Sequence, residues 1–348
     1  MRRANHMSSS RLNPELVHIC VVIPLYKARD QIVEVLKGIP AFVSTIVVVD
    51  DCSPDESFER ASTVKDNRIH FVRHAQNQGV GGAVLSGYQK AIELGAEIIV
   101  KMDSDGQMDP AYLMPLILPI LNGEADYTKG NRFLHSRQLK KMPGLRRVGN
   151  LGLSFLTKLA SGYWNIFDPS NGYTAIQASI LNLLDIDSLD RRYFFETSMF
   201  IELGLLRAVV QDVYIPARYL NETSNLSEWN ALLHFPYRLF KGLLKRIWVQ
   251  YFLKDFSLVS LYLINGSFLL GFGVVFGIYH WLRSWRLQIS TSTGTVMLAV
   301  LPIILGVQFL FQAIALDVQN VPFQIIHRIE DIEFSKLLNI SKVHPNKS

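Results

Sequence analysis

Two carboxylates separated by one residue form the clearest chemical pattern in this chain. Asp103 and Asp105 follow the apolar run 97–100, within the segment 101–110 (KMDSDGQMDP). A short strand that ends in this pattern places both carboxylates at its tip, close enough to share one divalent cation. Mg²⁺ and Mn²⁺ prefer oxygen ligands, and substrate phosphates commonly complete their coordination. The pattern therefore fits the binding of a nucleotide diphosphate, although a solvated surface turn has the same spacing.

Alternating strands and helices are expected to position these acids. Four short apolar runs, rich in β-branched side chains, predict strands at 19–23, 45–49, 68–72 and 97–100. The segments between them show helical patterns at 30–36, 57–64 and 82–94. This alternation predicts an α/β fold, Rossmann-like, whose mostly parallel sheet is covered by helices on both faces.

The polar loops of this predicted sheet fall after its strands. Pro24-Leu-Tyr26 follows the first strand, Asp50-Asp51-Cys-Ser53 the second, and the acidic turn the fourth. Ligands of such sheets bind beyond the carboxyl ends of the strands, so we expect the three loops to converge on one site. The glycines at 79–82 lack the spacing of a dinucleotide fingerprint and instead indicate a close backbone approach at a helix start.

Composition and charge narrow the range of partners. The chain has 348 residues, a net charge of +5 and two cysteines without disulfide or zinc spacing. A basic balance suits an anionic membrane surface or a phosphorylated substrate. Nucleic acid is not expected as a partner, because basic residues interleave with aromatic ones only near the predicted membrane segment.

The last third of the chain predicts a membrane anchor. The stretches 256–281 and 295–316 carry no Asp, Glu, Lys or Arg, and each is long enough to cross a bilayer. Basic and aromatic residues at helical spacing in 226–255 predict amphipathic helices in the headgroup layer. Lys and Arg are denser before the first span than in the loop 282–294, which places the N-terminal domain in the cytoplasm.

These boundaries predict five segments. They are a disordered N-terminus or tag at 1–16, a catalytic domain at 17–225, amphipathic helices at 226–255, a hairpin at 256–316 and a cytoplasmic tail at 317–348. Gln308 and Gln312, polar residues within the second span, point to helix contacts and to a homo-oligomer.

Several motifs together resemble glycosyltransferase family two, in its branch of polyprenyl-phosphate sugar transferases. One motif is the acidic turn, which in this family extends to Gln107. The others are 22–26 (VIPLY), 48–53 (VVDDCS), 129–132 (KGNR), 146–150 (RRVGN), 167–173 (FDPSNGY), 193–196 (YFFE) and 218–224 (RYLNETS). The likeness runs from about residue 17 to the end of the hairpin. The residues Lys27-Ala28 and Thr174 depart from the family pattern, and the Gln-x-x-Arg-Trp motif of processive synthases is absent.

The resemblance implies a GT-A fold and an inverting transfer of one sugar from a UDP- or GDP-linked donor to a polyprenyl phosphate. It implies Mg²⁺ or Mn²⁺ as cofactor and an integral membrane protein, with the bacterial inner membrane as the expected location. Two alternatives remain open: a transferase acting on a hydroxyl of a lipid-linked glycan, and a non-catalytic membrane scaffold.

The resemblance also implies roles for individual residues. The nucleotide-binding residues are Pro24, Tyr26, Asp50, Asp51 and Asp103, with Asp51 expected at the base and Asp50 at the ribose or in a structural role. The metal ligands are Asp103, Asp105 and Gln107, and the acceptor-phosphate residues are Arg132, Arg146 and Arg147. The catalytic residues are Asp105, Asp168 and Arg132, and Asn171, Gly172 and Glu196 are placed at the sugar or nearby.

Two of these acids have alternative interpretations. Asp168 is expected to orient the sugar or the acceptor-binding arginines, and helix capping before Pro169 is its structural alternative. Glu196 is expected to contact the sugar or to pair with an arginine.

Overall fold

The computed structural model describes residues 17–132, 144–169, 171–216 and 228–327, with side chains throughout except at 144–150 and 228–234. The chain forms two compact units: Met1–Gly242 together with Pro322–Ser348, and Leu243–Val321. The boundary between the units falls inside the segment predicted as amphipathic helices. The predicted segment 1–16 and residues 328–348 of the predicted tail lie outside the described residues.

A sheet of seven strands forms the centre of the first unit. The strands are β1 (Ile19–Leu25), β2 (Thr45–Asp50), β3 (Ile69–Arg73), β4 (Ile98–Lys101), β5 (Tyr127–Asn131), β6 (Thr174–Gln177) and β7 (Val210–Tyr214). Their order is β3-β2-β1-β4-β6-β5-β7, and only β6 runs antiparallel to its neighbours β4 and β5. The four strands predicted from the apolar runs are confirmed, to within two residues at their ends.

Helices cover both faces of this sheet. Those of the first unit are α1 (Ile32–Gly38), α2 (Ser57–Ser62), α3 (Val80–Glu93), α4 (Leu113–Leu121), α5 (Gly144–Ser161), α6 (Ala178–Leu183) and α7 (Phe195–Leu206). Alternate residues of β1 point to opposite faces, so that Ile19 and Val21 pack with α1 and α4, whereas Cys20 and Val22 pack with α3 and α7. Burial on both faces explains why β1 reads as a continuous apolar run.

Two long helices dominate the second unit. After α8 (Glu228–Trp248) and a π-helical segment, Val249–Lys254, follow α9 (Leu258–Leu287) and α10 (Thr293–Gln319). Both are long and apolar enough to span a membrane. Only 22% and 11% of their most apolar stretches are buried, which distinguishes them from core helices of a soluble protein.

Small residues let α9 and α10 pack closely. A Cβ placed on Gly306 would lie 2.6 Å from the Leu270 nitrogen, and one on Gly273 would lie 2.7 Å from the Ala299 oxygen. Close backbone approach of this kind is typical of helix pairs in membranes. A buried ion pair closes the base of the hairpin: the Arg246 guanidinium binds both oxygens of Asp317, at 2.8 and 2.9 Å.

After the hairpin the chain returns to the first unit. The backbone N–H groups of Ile326 and His327 donate to the Asp126 carboxylate, at 3.0 and 3.2 Å from Oδ1. The His327 ring lies 2.7 Å from the same oxygen, and Asp126 is fully buried at the start of β5. The segment that follows α10 is therefore packed against the sheet.

Candidate active site

Five segments of the first unit meet at one edge of the sheet. The carboxyl ends of β1, β2, β4 and β5 lie there because these strands are parallel. The antiparallel strand β6 begins at this edge, so the segment that precedes it arrives at the same place. The structure thus gathers the predicted site segments 24–26, 50–53, 103–107, 131–132 and 168–173.

The acidic turn follows β4 directly. The Met102 N–H donates to the Val22 oxygen at 3.0 Å and so fixes the start of the turn to β1. The Gln107 N–H donates to Asp105 Oδ1 at 2.9 Å, which closes the turn. Its two carboxylates and one amide side chain are the oxygen donors that Mg²⁺ and Mn²⁺ prefer. Substrate phosphates commonly complete the coordination of these cations, so this donor set fits a cation shared with a substrate diphosphate.

Lys101 lies beneath this turn, although its side chain is only 1% exposed. Its ammonium donates to Asp103 Oδ1 at 2.8 Å and to Glu196 Oε1, from the start of α7, at 3.0 Å. Burial disfavours the charged amine, but the two carboxylates outweigh it and raise the pKa of Lys101 above its ordinary value. Glu196 therefore pairs with a lysine and not with an arginine, and its contact with the sugar stays a prediction.

Gly172 packs directly on this cluster. A Cβ at this position would lie 2.4 Å from the Lys101 Nζ and 3.0 Å from Asp103 Oδ2. The neighbouring Asn171 holds the segment in place: its amide donates to the Gly130 oxygen at 2.7 Å and accepts from the Tyr173 N–H at 3.1 Å. These contacts explain the residue types at both positions.

Replacing Gly172 by Ala should reduce turnover at least tenfold, because the added methyl group displaces Lys101 and with it Asp103, and small displacements of reacting groups are costly. The rate of the sugar transfer that the resemblance implies, at saturating substrates, measures this effect. Gly152→Ala is the matched control, since a Cβ there meets nothing within 4 Å. Equal rates in both variants would contradict the predicted role of Gly172.

Asp168 and Arg132 form a bidentate pair. The Arg132 Nε lies 2.8 Å from Asp168 Oδ2, and its Nη2 lies 3.1 Å from Oδ1. Asp168 is fully buried, whereas the Arg132 side chain is 32% exposed, so the carboxylate fixes a guanidinium at the surface of the site. Of the two expectations for Asp168, these contacts favour the orientation of an arginine, and helix capping does not account for them.

Asp51 is held by the protein itself. Its carboxylate oxygens accept from the Gln78 and Gly79 N–H groups, both at 2.8 Å, and the His74 ring lies 2.7 Å from Oδ1. Gly79 has a φ of +86°, and a Cβ there would lie 2.5 Å from the Arg191 oxygen, so the glycines do permit a close backbone approach. The contact of Asp51 with a nucleobase stays a prediction.

The remaining nucleotide-binding predictions lie at the same edge. Asp50 is buried at the end of β2, where its Oδ1 accepts from the Ser53 N–H and its Oδ2 lies 3.1 Å from the Arg73 Nε. Pro24 is buried in β1, but Tyr26 just beyond it is exposed. The Tyr26 ring is thus accessible to a ligand, whereas Asp50 is placed for the structural alternative.

Two predicted residues belong to the part of the site without described side chains. Arg146 and Arg147 lie in α5, and nothing beyond their backbone is described. The motif 218–224 lies outside the described residues altogether. The assignment of these arginines to the acceptor phosphate stays a prediction.

Lys129 begins the predicted motif 129–132 but was not predicted as a site residue, and Asp212 lies in no predicted motif. Lys129 is fully buried in β5, its Nζ lies 4.7 Å from the centre of the Phe200 ring, and it makes no hydrogen bond within the described part of the chain. Burial lowers the pKa of Lys129 from 10.5 to about 7, although Asp168, Glu196 and Asp212 favour its charged form. A lysine within an otherwise uncharged strand was the available sequence signal for both Lys129 and Lys101.

The pH dependence of stability should reveal Lys129. Below pH 7 the Lys129 amine is protonated in both the folded and the unfolded chain. The folded chain then bears the full free-energy cost of burying a charged amine. Above pH 7 the unfolded chain binds more protons, and stability should rise by at most about 1.4 kcal/mol per pH unit. The excess melting temperature of Lys129→Met over the wild type should therefore shrink between pH 6 and pH 9. A difference that is independent of pH would contradict a neutral Lys129.

Comparisons with known proteins agree on one family. The family model for Glycosyl transferase family 2 matches residues 20–184. A UDP-N-acetylglucosamine–dolichyl-phosphate N-acetylglucosaminyltransferase of Methanococcus voltae is 34% identical over 190 residues, which is 50% of this chain and 75% of the relative. A dolichol-phosphate mannosyltransferase of Pyrococcus furiosus is 26% identical over 261 residues, 72% of this chain and 71% of the relative.

A solved structure confirms the fold. Glucosyl-3-phosphoglycerate synthase of Mycobacterium tuberculosis, crystallised with UDP, matches with a TM-score of 0.50 and 20% identity, over 66% of this chain and 80% of the other. The likeness at this identity concerns the fold, which is the predicted GT-A arrangement. An undecaprenyl-phosphate mannosyltransferase of Micrococcus luteus is a further relative, 27% identical over 204 residues, 57% of this chain and 83% of the relative.

Proposed function

The chain belongs to glycosyl transferase family 2, and we propose that it transfers one sugar from a nucleotide diphosphate sugar to a polyprenyl phosphate. The observation that carries this proposal is the meeting of the acidic turn with the Arg132–Asp168 pair at one edge of the sheet. The turn suits a diphosphate with its cation, and the arginine suits a second phosphate. A membrane hairpin in the same chain fits a lipid acceptor.

The chemistry demands little beyond positioning. A phosphate monoester is already anionic near neutral pH, because its second pKa is about 6. No strong base is then needed, and the residues must hold two anions together and align them. Asp168 fixes the Arg132 guanidinium, which is suited to binding the acceptor phosphate through two hydrogen bonds. Mg²⁺ or Mn²⁺, held by Asp103, Asp105 and Gln107, would supply Lewis-acid stabilisation of the departing diphosphate.

The topology of the chain supports a hairpin whose ends share one side of the membrane. Ile326 and His327 follow α10 and bind Asp126 of the first unit. That unit also contains the chain that precedes the hairpin, up to Gly242. If α9 and α10 both cross the bilayer, this contact requires an even number of crossings. We place the catalytic unit on the cytoplasmic side by the positive-inside rule. The bacterial inner membrane and a homo-oligomer stay predictions.

The donor is the open part of the proposal. The Methanococcus voltae relative is named for UDP-N-acetylglucosamine, and two other relatives are named for mannose. UDP-N-acetylglucosamine and GDP-mannose are therefore the first donors to test.

The test is transfer from a panel of labelled nucleotide sugars to undecaprenyl phosphate and dolichyl phosphate. The full chain is assayed in detergent with Mg²⁺ or Mn²⁺, and again with a chelator. We expect one donor to give a glycolipid whose formation stops with the chelator. Transfer only to lipid-linked glycans would favour a hydroxyl acceptor, and folded protein without any product would favour the scaffold.

A further inference from the structure

The Lys101–Glu196 pair connects the acidic turn to a helix that is remote in sequence. Lys101 ends β4, and Glu196 lies in the first turn of α7, ninety-five residues later. The Lys101 Nζ bridges Asp103 Oδ1 and Glu196 Oε1, at 2.8 and 3.0 Å. A buried amine with two carboxylate partners has little freedom, so it fixes the orientation of Asp103.

The same amine sets the charge of the turn. Asp103, Asp105 and Glu196 contribute three negative charges, and Lys101 offsets one of them. One oxygen of Asp103 is engaged by an ammonium, which repels a cation that approaches the same carboxylate. Glu196 is engaged by the same ammonium, and a cation at the turn would gain further ligands and negative charge from a substrate diphosphate.

We propose that Lys101 and Glu196 are positioning residues, which orient Asp103 and weaken its hold on a free divalent cation, so that the cation binds strongly only with a nucleotide diphosphate. This inference rests on the proposed function of the same site. Lys101 acts through Asp103, to which its ammonium donates a hydrogen bond. A purely structural pair would stabilise the fold without changing the affinity for the cation.

The test measures the affinity of the full chain for Mn²⁺, from the resonance of free Mn²⁺, with and without saturating UDP or GDP. Lys101→Met should raise the affinity without nucleotide by about tenfold or more, because it removes the opposing charge. Glu196→Gln should lower that affinity, because the ammonium then faces Asp103 alone. The nucleotide should therefore strengthen Mn²⁺ binding less in Lys101→Met than in the wild type.

If Lys101→Met does not fold, the lowered Mn²⁺ affinity expected of Glu196→Gln alone decides the test, and the double variant Lys101→Met/Glu196→Gln complements it. The double variant removes one charge of each sign, so its Mn²⁺ affinity should lie near that of the wild type, while its turnover stays low because Asp103 is no longer oriented. Lys90→Met and Glu93→Gln form the matched control, since these residues make an exposed pair on α3 at 3.1 Å. They should leave Mn²⁺ binding and turnover unchanged.

The outcomes separate this inference from the proposed function. Wild-type protein that binds no Mn²⁺ with either nucleotide and transfers no sugar would overturn both. Wild-type protein that binds Mn²⁺ and transfers sugar, with folded Lys101→Met and Glu196→Gln single variants of unchanged Mn²⁺ affinity, would overturn the positioning pair only. Changes of the same sign in both single variants would also overturn it.

Discussion

Replacing Asp105 by Asn is expected to lower the rate of sugar transfer by about a thousandfold or more, which corresponds to about 4 kcal/mol in the barrier. Asn keeps the size of the side chain and an oxygen that accepts from the Gln107 N–H, a contact of 2.9 Å. The variant thus preserves the turn and removes the charge that a cation and a departing diphosphate require. Little change in melting temperature should accompany the loss.

The measurement is single-turnover transfer from the active donor at saturating Mg²⁺. Asp66→Asn is the matched control, because Asp66 likewise accepts from a backbone N–H two residues later, that of Arg68, at 2.9 Å. Asp66 lies before β3, at the opposite edge of the sheet, and its variant should keep the wild-type rate. An Asp105→Asn protein with more than a tenth of the wild-type activity would remove the acidic turn from the mechanism.

Replacing Arg132 by Lys should raise the KM for the polyprenyl phosphate about a hundredfold and leave the KM for the donor nearly unchanged. Lysine keeps the charge but lacks the planar fork that binds two phosphate oxygens, and it cannot reproduce both contacts with Asp168. Initial rates with one substrate varied at a time separate the two constants. An equal rise in both would place Arg132 at the donor instead.

Asp168→Asn should also raise the KM for the polyprenyl phosphate, because the Arg132 guanidinium loses its orienting carboxylate. It should also destabilise the chain by about 2 kcal/mol, a value below that of fully buried pairs because Arg132 is partly exposed. Arg68→Lys provides the contrast: Arg68 binds Asp66 and the carbonyls of Pro40 and Val43, away from the site. That variant should lose stability and keep the acceptor KM.

The strands at the core of the fold were predictable because their signal is local. Ile19, Val21 and Ile23 face one layer of helices, and Cys20 and Val22 face the other. Burial on both sides of the strand produces an apolar run that can be recognised from the sequence alone. The acidic turn was predictable for the same reason, since two carboxylates at the end of such a run must lie at the edge of the sheet. The two long apolar helices were evident from length and composition, although α9 continues to Leu287, past the predicted end at Trp281.

The reversed strand was not predictable from these patterns. The sequence marks Asp168 and Gly172 as members of a motif, but their distance from Asp103 depends on the antiparallel insertion of β6 between β4 and β5. Strand direction in the middle of a sheet depends on pairing between distant segments, here Lys101 with Thr174 and Tyr127 with Ile176. Periodicity within one segment carries no information about it. The pairing of Arg132 with Asp168 follows from this insertion.

The sequence by itself determined the fold class, the acidic turn, the two long apolar helices and the resemblance to a family, because each is carried by neighbouring residues. Only the tertiary structure decided which charges meet. Lys101 bridges Asp103 and Glu196, Lys129 is buried without a hydrogen-bond partner among the described residues, and His327 reaches Asp126. The energy of a charged group depends on its burial and on its partners. Both are set by the folded structure and cannot be read from the order of residues in the sequence.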